Sequence, residues 1–197
     1  MNSRVDAGAY RWITDLAQRT PQPLDEAVRA FSDYGLGLFA ALMLLAWWRA
    51  RHGDAERMAA ALCVPLVVAA VFLVNDGVKS AVAEQRPCRT LHTATLEACP
   101  ALGDYAFPSN HTAIAAAAAV ALLPAWRRAG LYALPLALLM GASRVWIGVH
   151  YPHDVLAALA LGALVAWPLA LASRRAAPAV VRLRGTRLRS LLSAAPV

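Results

Sequence analysis

Lysine is almost absent from this chain, and charged residues of any kind are scarce. Only 16% of the 197 residues are charged, and Lys79 is the single lysine among the 19 basic residues. With 59% hydrophobic residues, the composition excludes an ordinary soluble domain of this length and favours one membrane domain. Because the chain otherwise uses arginine, a lone lysine at the end of an apolar stretch indicates a specific requirement at that position.

The first thirty residues lack a continuous apolar run, so we expect no N-terminal signal peptide. Residues 5–19 place apolar side chains on one face of a helix and charges on the other, which predicts an amphipathic helix at the membrane interface. An ordinary surface helix is the alternative. Pro21 and Pro23 then break the chain before another helix begins at Leu24.

Long apolar segments are present in the rest of the chain. A bilayer core of about 30 Å requires roughly 17 to 25 helical residues. Five segments approach this length, near 31–48, 58–78, 112–126, 130–149 and 155–172. The third is short and rich in alanine, which predicts a packed interior helix, since small residues let helix backbones approach closely. We therefore predict an all-α integral membrane bundle of about five transmembrane helices plus the N-terminal interfacial helix.

Clusters of arginine follow alternate apolar segments. They occupy the first loop, the turn at 127–128 and the tail that follows the last helix. The positive-inside rule makes that side cytoplasmic, so the net charge of +7 indicates membrane orientation, and we expect no nucleic-acid partner. We predict a membrane domain over residues 1–173 and a basic cytoplasmic tail over 174–197, which either lies on anionic headgroups or only enforces topology.

The three cysteines divide into a loop pair and a single residue. Cys88 and Cys99 bracket a loop on the predicted outer face, where an oxidising compartment permits a disulfide, although their proximity in sequence does not fix the geometry of a bridge. Cys63 lies in an apolar helix, where we expect it only to pack.

Polar residues recur in three clusters at the edges of apolar segments on the predicted outer face. Lys79, Arg86 and Arg144 offer three cations, and phosphate binding needs donors that converge from several directions. Ser109 fits the N-cap of a helix. The free N–H groups that follow, beginning with that of Asn110, would then face a bound anion together with the helix dipole.

Two histidines and a carboxylate complete a set suited to phosphoryl transfer. His150 and Asp154 are four residues apart, and Pro152 is suited to the first position of a helix that places Asp154 in its first turn. A carboxylate on one ring nitrogen prepares the other nitrogen to attack phosphorus. His111, on another helix, would protonate the leaving oxygen.

Each of these residues also has a simpler interpretation. Histidines at helix ends are often caps, and Lys79, Arg86 and Arg144 could extend to lipid headgroups. The functional interpretation depends on their convergence and on the cost of charge inside a membrane. We predict no metal and no cofactor, because no compact ligand motif is present and three cations would repel a divalent ion.

The motifs Lys79-x6-Arg86-Pro87, Pro108-Ser109-x-His111 and Ser143-Arg144-x5-His150-x3-Asp154 resemble, in order and spacing, the three signatures of the type 2 phosphatidic acid phosphatase family. The motifs cover residues 79–154, and the helical layout extends the likeness over about 31–172. The resemblance implies a metal-independent phosphatase in which His150 forms a phosphohistidine, Asp154 assists it and His111 protonates the leaving group. By the same likeness, Lys79, Arg86, Ser109 and Arg144 bind the phosphate.

The second motif departs from the family pattern at one position. Asn110 replaces the usual glycine, so a side chain narrows the space beside the phosphate while its amide can donate a hydrogen bond. Bacterial undecaprenyl pyrophosphate phosphatases of the family are similar in carrying a polar residue, aspartate, there. This similarity favours a polyprenyl phosphate or pyrophosphate as substrate, while phosphatidic acid, phosphatidylglycerol phosphate and polyprenyl-phosphosugars remain open.

The resulting prediction is a multi-pass enzyme of the plasma (inner) membrane that dephosphorylates a lipid on its outer face. Its expected partners are the membrane lipid phosphate and the bilayer, and the sequence does not predict an oligomeric state. Two alternatives remain. A phosphotransferase would pass the phosphate to another lipid or sugar, and a non-catalytic membrane protein would only bind the phospholipid.

Overall fold

The protein is helical throughout the part described by the computed structural model, residues 6–194. Helices make up 76% of the structure, and residues 6–194 contain no strand. The ten α-helices are α1 (Ala7–Ala17), α2 (Gln22–Tyr34), α3 (Leu36–Ala50), α4 (Ala55–Val82), α5 (Pro87–Thr90), α6 (Asn110–Ala125), α7 (Arg127–Trp146), α8 (Pro152–Ser173), α9 (Ala177–Arg184) and α10 (Arg189–Leu192), with a 3₁₀ turn at Arg174–Ala176. The predicted all-α membrane fold is confirmed.

Helix α6 lies at the centre of the bundle and packs against α3, α4, α7 and α8. Every residue from Ala115 to Leu122 is buried, as predicted for an interior helix. Close approach depends on small residues on the neighbouring helices. A Cβ at Gly162 of α8 would lie 2.8 Å from the Ala113 carbonyl oxygen, and one at Gly141 of α7 would lie 3.3 Å from Thr112 Cγ2. Small residues at these contacts thus allow α7 and α8 to approach α6 closely.

The number of membrane-crossing helices differs from the predicted five. Among the described residues, α4, α7 and α8 are long and apolar enough to cross a bilayer, and the bent pair of α2 and α3 makes a fourth if the two helices are counted as one broken span. Helix α6 has 16 residues and is about 24 Å long, shorter than the apolar core of a bilayer. Because α6 is enclosed by protein, its length need not match the lipid. A count of five is therefore not confirmed.

The first predicted span, 31–48, is wrong in its bounds because the chain bends there by 50° between α2 and α3. Gly35 lies at the break. A Cβ on this glycine would approach Met140 Cε of α7 to 2.8 Å, so a glycine lets the bent chain lie against α7. The prediction treats 31–48 as one apolar helix, although Ser32 and Asp33 interrupt the apolar residues just before Gly35.

Large apolar side chains cover the outside of the bundle, as expected for contact with lipid. Leu66 and Leu73 on α4, Leu138 on α7 and Leu164 on α8 are each more than half exposed. Such a surface would be costly in water but is favourable against acyl chains. Together with the interior of small residues, it supports the membrane location inferred from composition.

Helix α1 packs on the bundle through one face and leaves the predicted membrane face exposed. The buried Tyr10 donates a hydrogen bond of 2.8 Å to the Gly148 carbonyl, and its ring lies 5.6 Å from that of Tyr151. Trp12 and Leu16 remain exposed on the predicted apolar face. Val5, the predicted first residue of this helix, lies outside the described residues.

The tail folds back towards the loop between α3 and α4. Arg184 donates to the Gly53 carbonyl at 3.1 Å, and the Ala194 N–H donates to the Arg51 carbonyl at 3.0 Å. The 3₁₀ turn continues the helical path of α8 without a long linker. A domain boundary at 173 stays a prediction, as does contact of the tail with lipid headgroups, and residues 195–197 lie outside the described part.

Candidate active site

Three side chains from two parts of the chain form a connected series at the centre of the site. The Arg86 NH1 group lies 2.8 Å from His150 Nε2, and His150 Nδ1 lies 3.2 Å from Asp154 Oδ2. Arginine can only donate, so these partners assign the Nδ1–H tautomer, with a lone pair on Nε2. Asp154 therefore orients the imidazole and Arg86 faces the nitrogen that is able to attack.

The start of α8 fixes the position of the carboxylate. Pro152 occupies the first helical position, and Asp154 lies in the first turn, as the sequence predicted. Asp154 Oδ2 also accepts the Tyr151 N–H at 2.8 Å, which completes a capping box with the Tyr151 side chain. One carboxylate thus caps the helix and holds His150.

His150 is held as a neutral imidazole in the free protein. Its side chain is 1% exposed, and burial lowers the pKa of His150 well below the ordinary value of 6.5, an effect reinforced by the charges of Arg86, Arg144 and Lys79. A neutral imidazole has the free lone pair that nucleophilic attack requires. The neighbouring cations thus add to the effect of burial, which keeps His150 unprotonated.

The start of α6 presents unpaired N–H groups beside this series. Ser109 is the N-cap residue, as predicted, but its hydroxyl accepts from Thr112 Oγ1 at 3.1 Å instead of capping the helix. Among the described residues, no acceptor pairs with the N–H groups of residues 110–112. The Ser109 N–H bonds the Asp154 carbonyl at 3.3 Å, which joins this helix start to α8. The arrangement suits an anion.

The Asn110 side chain is held by a neighbour on α4. Asn75 Nδ2 donates to Asn110 Oδ1 at 2.6 Å, and Asn75 is fully buried. With its oxygen engaged in this way, Asn110 retains its NH₂ group as a donor. The residue that replaces the family's glycine is therefore fixed by a specific contact with α4.

His111 lies in the first turn of α6, partly buried, within the electrostatic field of Arg144, Arg86 and Lys79. The His111 side chain makes no hydrogen bond or ion pair within residues 6–194. His111 is therefore available for a bound group.

The three cations are buried and already have polar partners. Arg86 donates to Asp104 Oδ1 at 2.7 Å, and Lys79 Nζ lies 3.9 Å from the same oxygen. Arg144 donates to Ser32 Oγ at 2.7 Å and lies 3.8 Å from Glu97 Oε2. The carboxylates of Asp104 and Glu97 are more exposed than the cations they face. They thus lie where a phosphate would compete for the same donors.

Both carboxylates belong to the loop that follows α5, and a disulfide and a hydrogen bond hold that loop near its start. The structure joins Cys88 to Cys99 with an S–S distance of 2.03 Å, and Arg89 NH2 donates to the Pro100 carbonyl. Arg86 also donates to the Asp104 carbonyl at 3.0 Å. The cysteine pair that the sequence allowed therefore holds the loop against the cationic cluster.

His153 was not assigned a role from the sequence, yet it contacts the same centre. Its Nε2 lies 3.3 Å from Asp154 Oδ1 and 3.2 Å from Glu84 Oε2, and its Nδ1 lies 2.9 Å from Asp6 Oδ1. Adjacent side chains on a helix usually diverge, yet those of His153 and Asp154 are in contact at the start of α8. No sequence pattern indicated Asp6 and Glu84 as partners, because both are distant from His153 along the chain.

Glu84, His153 and Asp154 also bring ligand atoms within 4.8 Å of one another, the spacing of a small metal site. Both ring nitrogens of His153 already contact carboxylates, so hydrogen bonding accounts for this grouping without an ion. The absence of a catalytic metal stays a prediction.

The sequence profile of the PAP2 superfamily matches residues 59–177, a range that contains all three motifs and helices α6 to α8. The chain belongs to the PAP2 superfamily. The family resemblance seen in the motifs is confirmed by this match.

Known PAP2 relatives share much of the chain's length. The undecaprenyl-diphosphatase BcrC of Bacillus subtilis is 30% identical over 144 residues, which cover 72% of this chain and 71% of BcrC. A lipid A 1-phosphatase of Rhizobium johnstonii is 32% identical over 166 residues, covering 75% of this chain and 67% of its own. The chain is accordingly a phosphatase of the PAP2 superfamily.

A solved PAP2 structure supports the architecture. The transmembrane PAP2-type phosphatidylglycerolphosphate phosphatase of Bacillus subtilis superposes with a TM-score of 0.61 at 23% identity, over 82% of this chain and 83% of that one. At this level of identity the likeness shows the fold alone.

We predict that Asp104→Asn strengthens phosphate binding, because the neutral amide competes less well for Arg86 and Lys79. A partly exposed ion pair contributes up to about 1 kcal/mol, which corresponds to a decrease of about fivefold in KM. Steady-state kinetics and inhibition by inorganic phosphate measure the effect. Glu56→Gln, on an exposed residue at the start of α4, removes a charge far from the site and should leave KM unchanged. An unchanged KM in Asp104→Asn would show that this carboxylate does not compete with substrate.

Proposed function

We propose that this PAP2 phosphatase removes the terminal phosphate of a membrane lipid phosphate or pyrophosphate through a phosphohistidine on His150. A polyprenyl pyrophosphate is the favoured substrate, and the reaction takes place at the extracytoplasmic face. The observation that carries the proposal is the buried series from Arg86 through His150 to Asp154. It provides a nucleophile, an orienting carboxylate and a cation directed at the attacking atom.

In the first step His150 Nε2 forms a bond to phosphorus while the bond from phosphorus to the leaving oxygen breaks. The substrate phosphate takes the place of the Asp104 carboxylate on Arg86 and Lys79, and Arg144 and the N–H groups of α6 bind its other oxygens. Burial and the charges of Arg144 and Arg86 keep His111 unprotonated in the free protein. The bound phosphate offsets these charges, so His111 takes up a proton and gives it to the leaving oxygen, while Asp154 stabilises the positive charge on the His150 imidazole. For a pyrophosphate substrate the leaving group is the lipid monophosphate.

In the second step water attacks the phosphohistidine. His111, now neutral, takes a proton from the water, the bond between nitrogen and phosphorus breaks, and inorganic phosphate is released. His150 regains its lone pair and His111 its proton. If an alcohol replaced water, the same intermediate would give the phosphotransferase reaction, so the acceptor alone separates these two activities.

An apolar groove between α2 and α7 supports a lipid substrate. It has a volume of about 300 Å³ and is lined by Ala27, Val28, Phe31, Leu139, Ala142, Ser143 and Trp146. Ser143 immediately precedes Arg144, whose guanidinium contacts Ser32 of α2. A lipid chain in this groove would therefore bring its phosphate towards the cationic cluster.

Two observations favour a polyprenyl pyrophosphate among lipid phosphates. One PAP2 relative that aligns over more than two thirds of both chains is an undecaprenyl-diphosphatase. In addition, the fixed Asn110 amide adds a donor beside the phosphate, and a diphosphate has more acceptor oxygens than a monoester. Because another relative is a lipid A 1-phosphatase, other phosphorylated lipids are also candidate substrates for the test.

We predict that His150→Asn abolishes phosphate release while the protein remains folded, because Asn can contact Asp154 but cannot form the intermediate. Activity should fall more than about 10³-fold, as expected when a nucleophile is removed. The assay compares a polyprenyl pyrophosphate, phosphatidic acid and phosphatidylglycerol phosphate, in detergent with EDTA present.

His92→Asn is the matched control, since His92 is exposed and outside the cluster. Full activity of a well-folded His150→Asn protein would exclude the proposed intermediate. Loss of wild-type activity in EDTA would overturn metal independence alone. No release by the wild-type protein from any substrate would favour the phosphotransferase or the binding protein.

The extracytoplasmic orientation is tested separately by cysteine labelling. The loop residue Leu102 is 82% exposed, and its neighbour Gly103 has a φ of +87° that disfavours a side chain, so Leu102→Cys is the suitable reporter. We predict that an impermeant maleimide labels Leu102→Cys in intact cells, whereas Arg175→Cys at the opposite end reacts only after permeabilisation. The reverse pattern would invert the topology.

A further inference from the structure

A second cationic cavity lies at the end of the bundle opposite the active site. It has a volume of about 630 Å³, within the range of roughly 300 to 1,000 Å³ that is typical of ligand pockets. Its wall combines the end of α3, the start of α4, the turn between α6 and α7 and the end of α8. Five arginines line it, and no aspartate or glutamate of the described chain does: Arg49, Arg57, Arg127, Arg128 and Arg174.

This cavity is remote from the phosphoryl-transfer chemistry. From Arg57 to Lys79, α4 rises by about 33 Å at about 1.5 Å per residue. That distance is comparable to the apolar thickness of a membrane. A ligand bound among the five arginines therefore cannot be the phosphate that His150 attacks.

Several of the arginines are held in place, and others are unengaged. The Arg49 guanidinium lies 5.0 Å from the centre of the Trp126 ring, and Arg174 NH2 donates to the Pro124 carbonyl at 3.3 Å. Within residues 6–194, Arg127 and Arg128 have neither a hydrogen bond nor an ion pair through their side chains. Within residues 6–194, Arg57 alone among the five has a carboxylate partner, Asp54 at 3.5 Å, so four cations of the cavity have no counter-charge.

The excess positive charge is not explained by helix ends alone, because of where Arg127 and Arg128 lie. The carbonyl groups at the ends of α3 and α8 favour Arg49 and Arg174, whereas Arg127 and Arg128 are the first two residues of α7, where the dipole of that helix disfavours a positive charge. The first turn of α7 contains no acidic residue to offset them. A membrane-orientation signal alone requires only arginines on one side and does not require them to surround a cavity.

We propose that this cavity binds a phosphate-bearing anion. Guanidinium groups approaching from four helix ends match the several outward oxygens of a phosphate better than they match a single carboxylate. Trp126 in its wall and the exposed Trp48 nearby on α3 are residue types enriched at membrane interfaces, so the headgroup of an anionic phospholipid can reach the cavity. A soluble phosphate compound would present the same chemistry from the aqueous side.

A cysteine within the cavity can report its occupancy without interference from the active site. His52 is exposed and belongs to the lining, so His52→Cys provides the reporter, and the half-buried Cys63 sets the background measured in the unmodified chain. Labelling by a neutral maleimide is followed in phosphatidylcholine nanodiscs, in nanodiscs containing phosphatidylglycerol, and in phosphatidylcholine nanodiscs with inorganic pyrophosphate. We expect labelling to slow about fivefold when the cavity is occupied about 80% of the time.

Two matched double variants separate a defined site from general surface charge. In the His52→Cys background, Arg127→Gln with Arg128→Gln removes two cations of the cavity, and Arg175→Gln with Arg187→Gln removes two exposed cations outside its lining. We expect the first pair to abolish the protection and the second to retain it, while phosphatase activity shows that both proteins are folded. Protection by phosphatidylglycerol alone identifies a lipid ligand, and protection by pyrophosphate alone a soluble one.

Unchanged labelling in every condition would overturn the proposal. Equal loss of protection in both double variants would also overturn it, because the effect would then come from net charge and not from the cavity.

Discussion

Three cations are buried at one end of an apolar bundle, and the arrangement of the polar residues around them depends on this burial. Lys79, Arg86 and Arg144 are each at most 6% exposed, although removing such charges from water is costly unless they are paired. Asp104, Glu97 and Ser32 supply polar partners from loops and a neighbouring helix. The site is therefore stable without substrate and keeps donors that a phosphate can use.

The burial of these cations also explains why the loop after α5 is fixed. Asp104 and Glu97 can face the cations only if the chain after α5 returns over the site, and the link between Cys88 and Cys99 closes that path. Burial, reinforced by the charges of the cations, also keeps His150 neutral. The position of the loop and the protonation state of His150 thus both depend on the buried cluster of charge.

The helical packing brings the three motifs together. Short connections between α6, α7 and α8 make successive helices antiparallel, so the start of α6 meets the end of α7 and the start of α8. Alanine and glycine at their contacts allow this close approach. A larger residue at Gly162 would push α8 from α6 and separate Asp154 from the helix start at Ser109.

Sequence reasoning succeeded where chemistry or periodicity was local and failed where it depended on distant parts of the chain. Pro152 and Asp154 indicated the start of α8, and the alanine-rich segment indicated an interior helix. The bend at Gly35 depends on contact with α7, which is distant along the chain, so the apolar residues after Asp33 did not predict it.

Sequence reasoning missed several partners of the site for the same reason, because they come from distant parts of the chain. Asp104 and Glu97 are loop carboxylates whose role appears only once the loop is folded over Arg86 and Arg144. His153 gains its importance from Asp6 and Glu84, which are remote in sequence. A motif-based prediction could identify the reacting groups but not the residues that position them.

The central claim, a covalent phosphate on His150 Nε2, is tested most directly by trapping the intermediate. Protein reacting with a lipid pyrophosphate labelled in its terminal phosphate would be quenched in alkali, digested and analysed by mass spectrometry. The account predicts a phosphorylated peptide containing His150, with the phosphate on Nε2, formed and lost at rates that permit turnover. Turnover in which labelled His150 never forms, or in which the label resides on another residue, would contradict it.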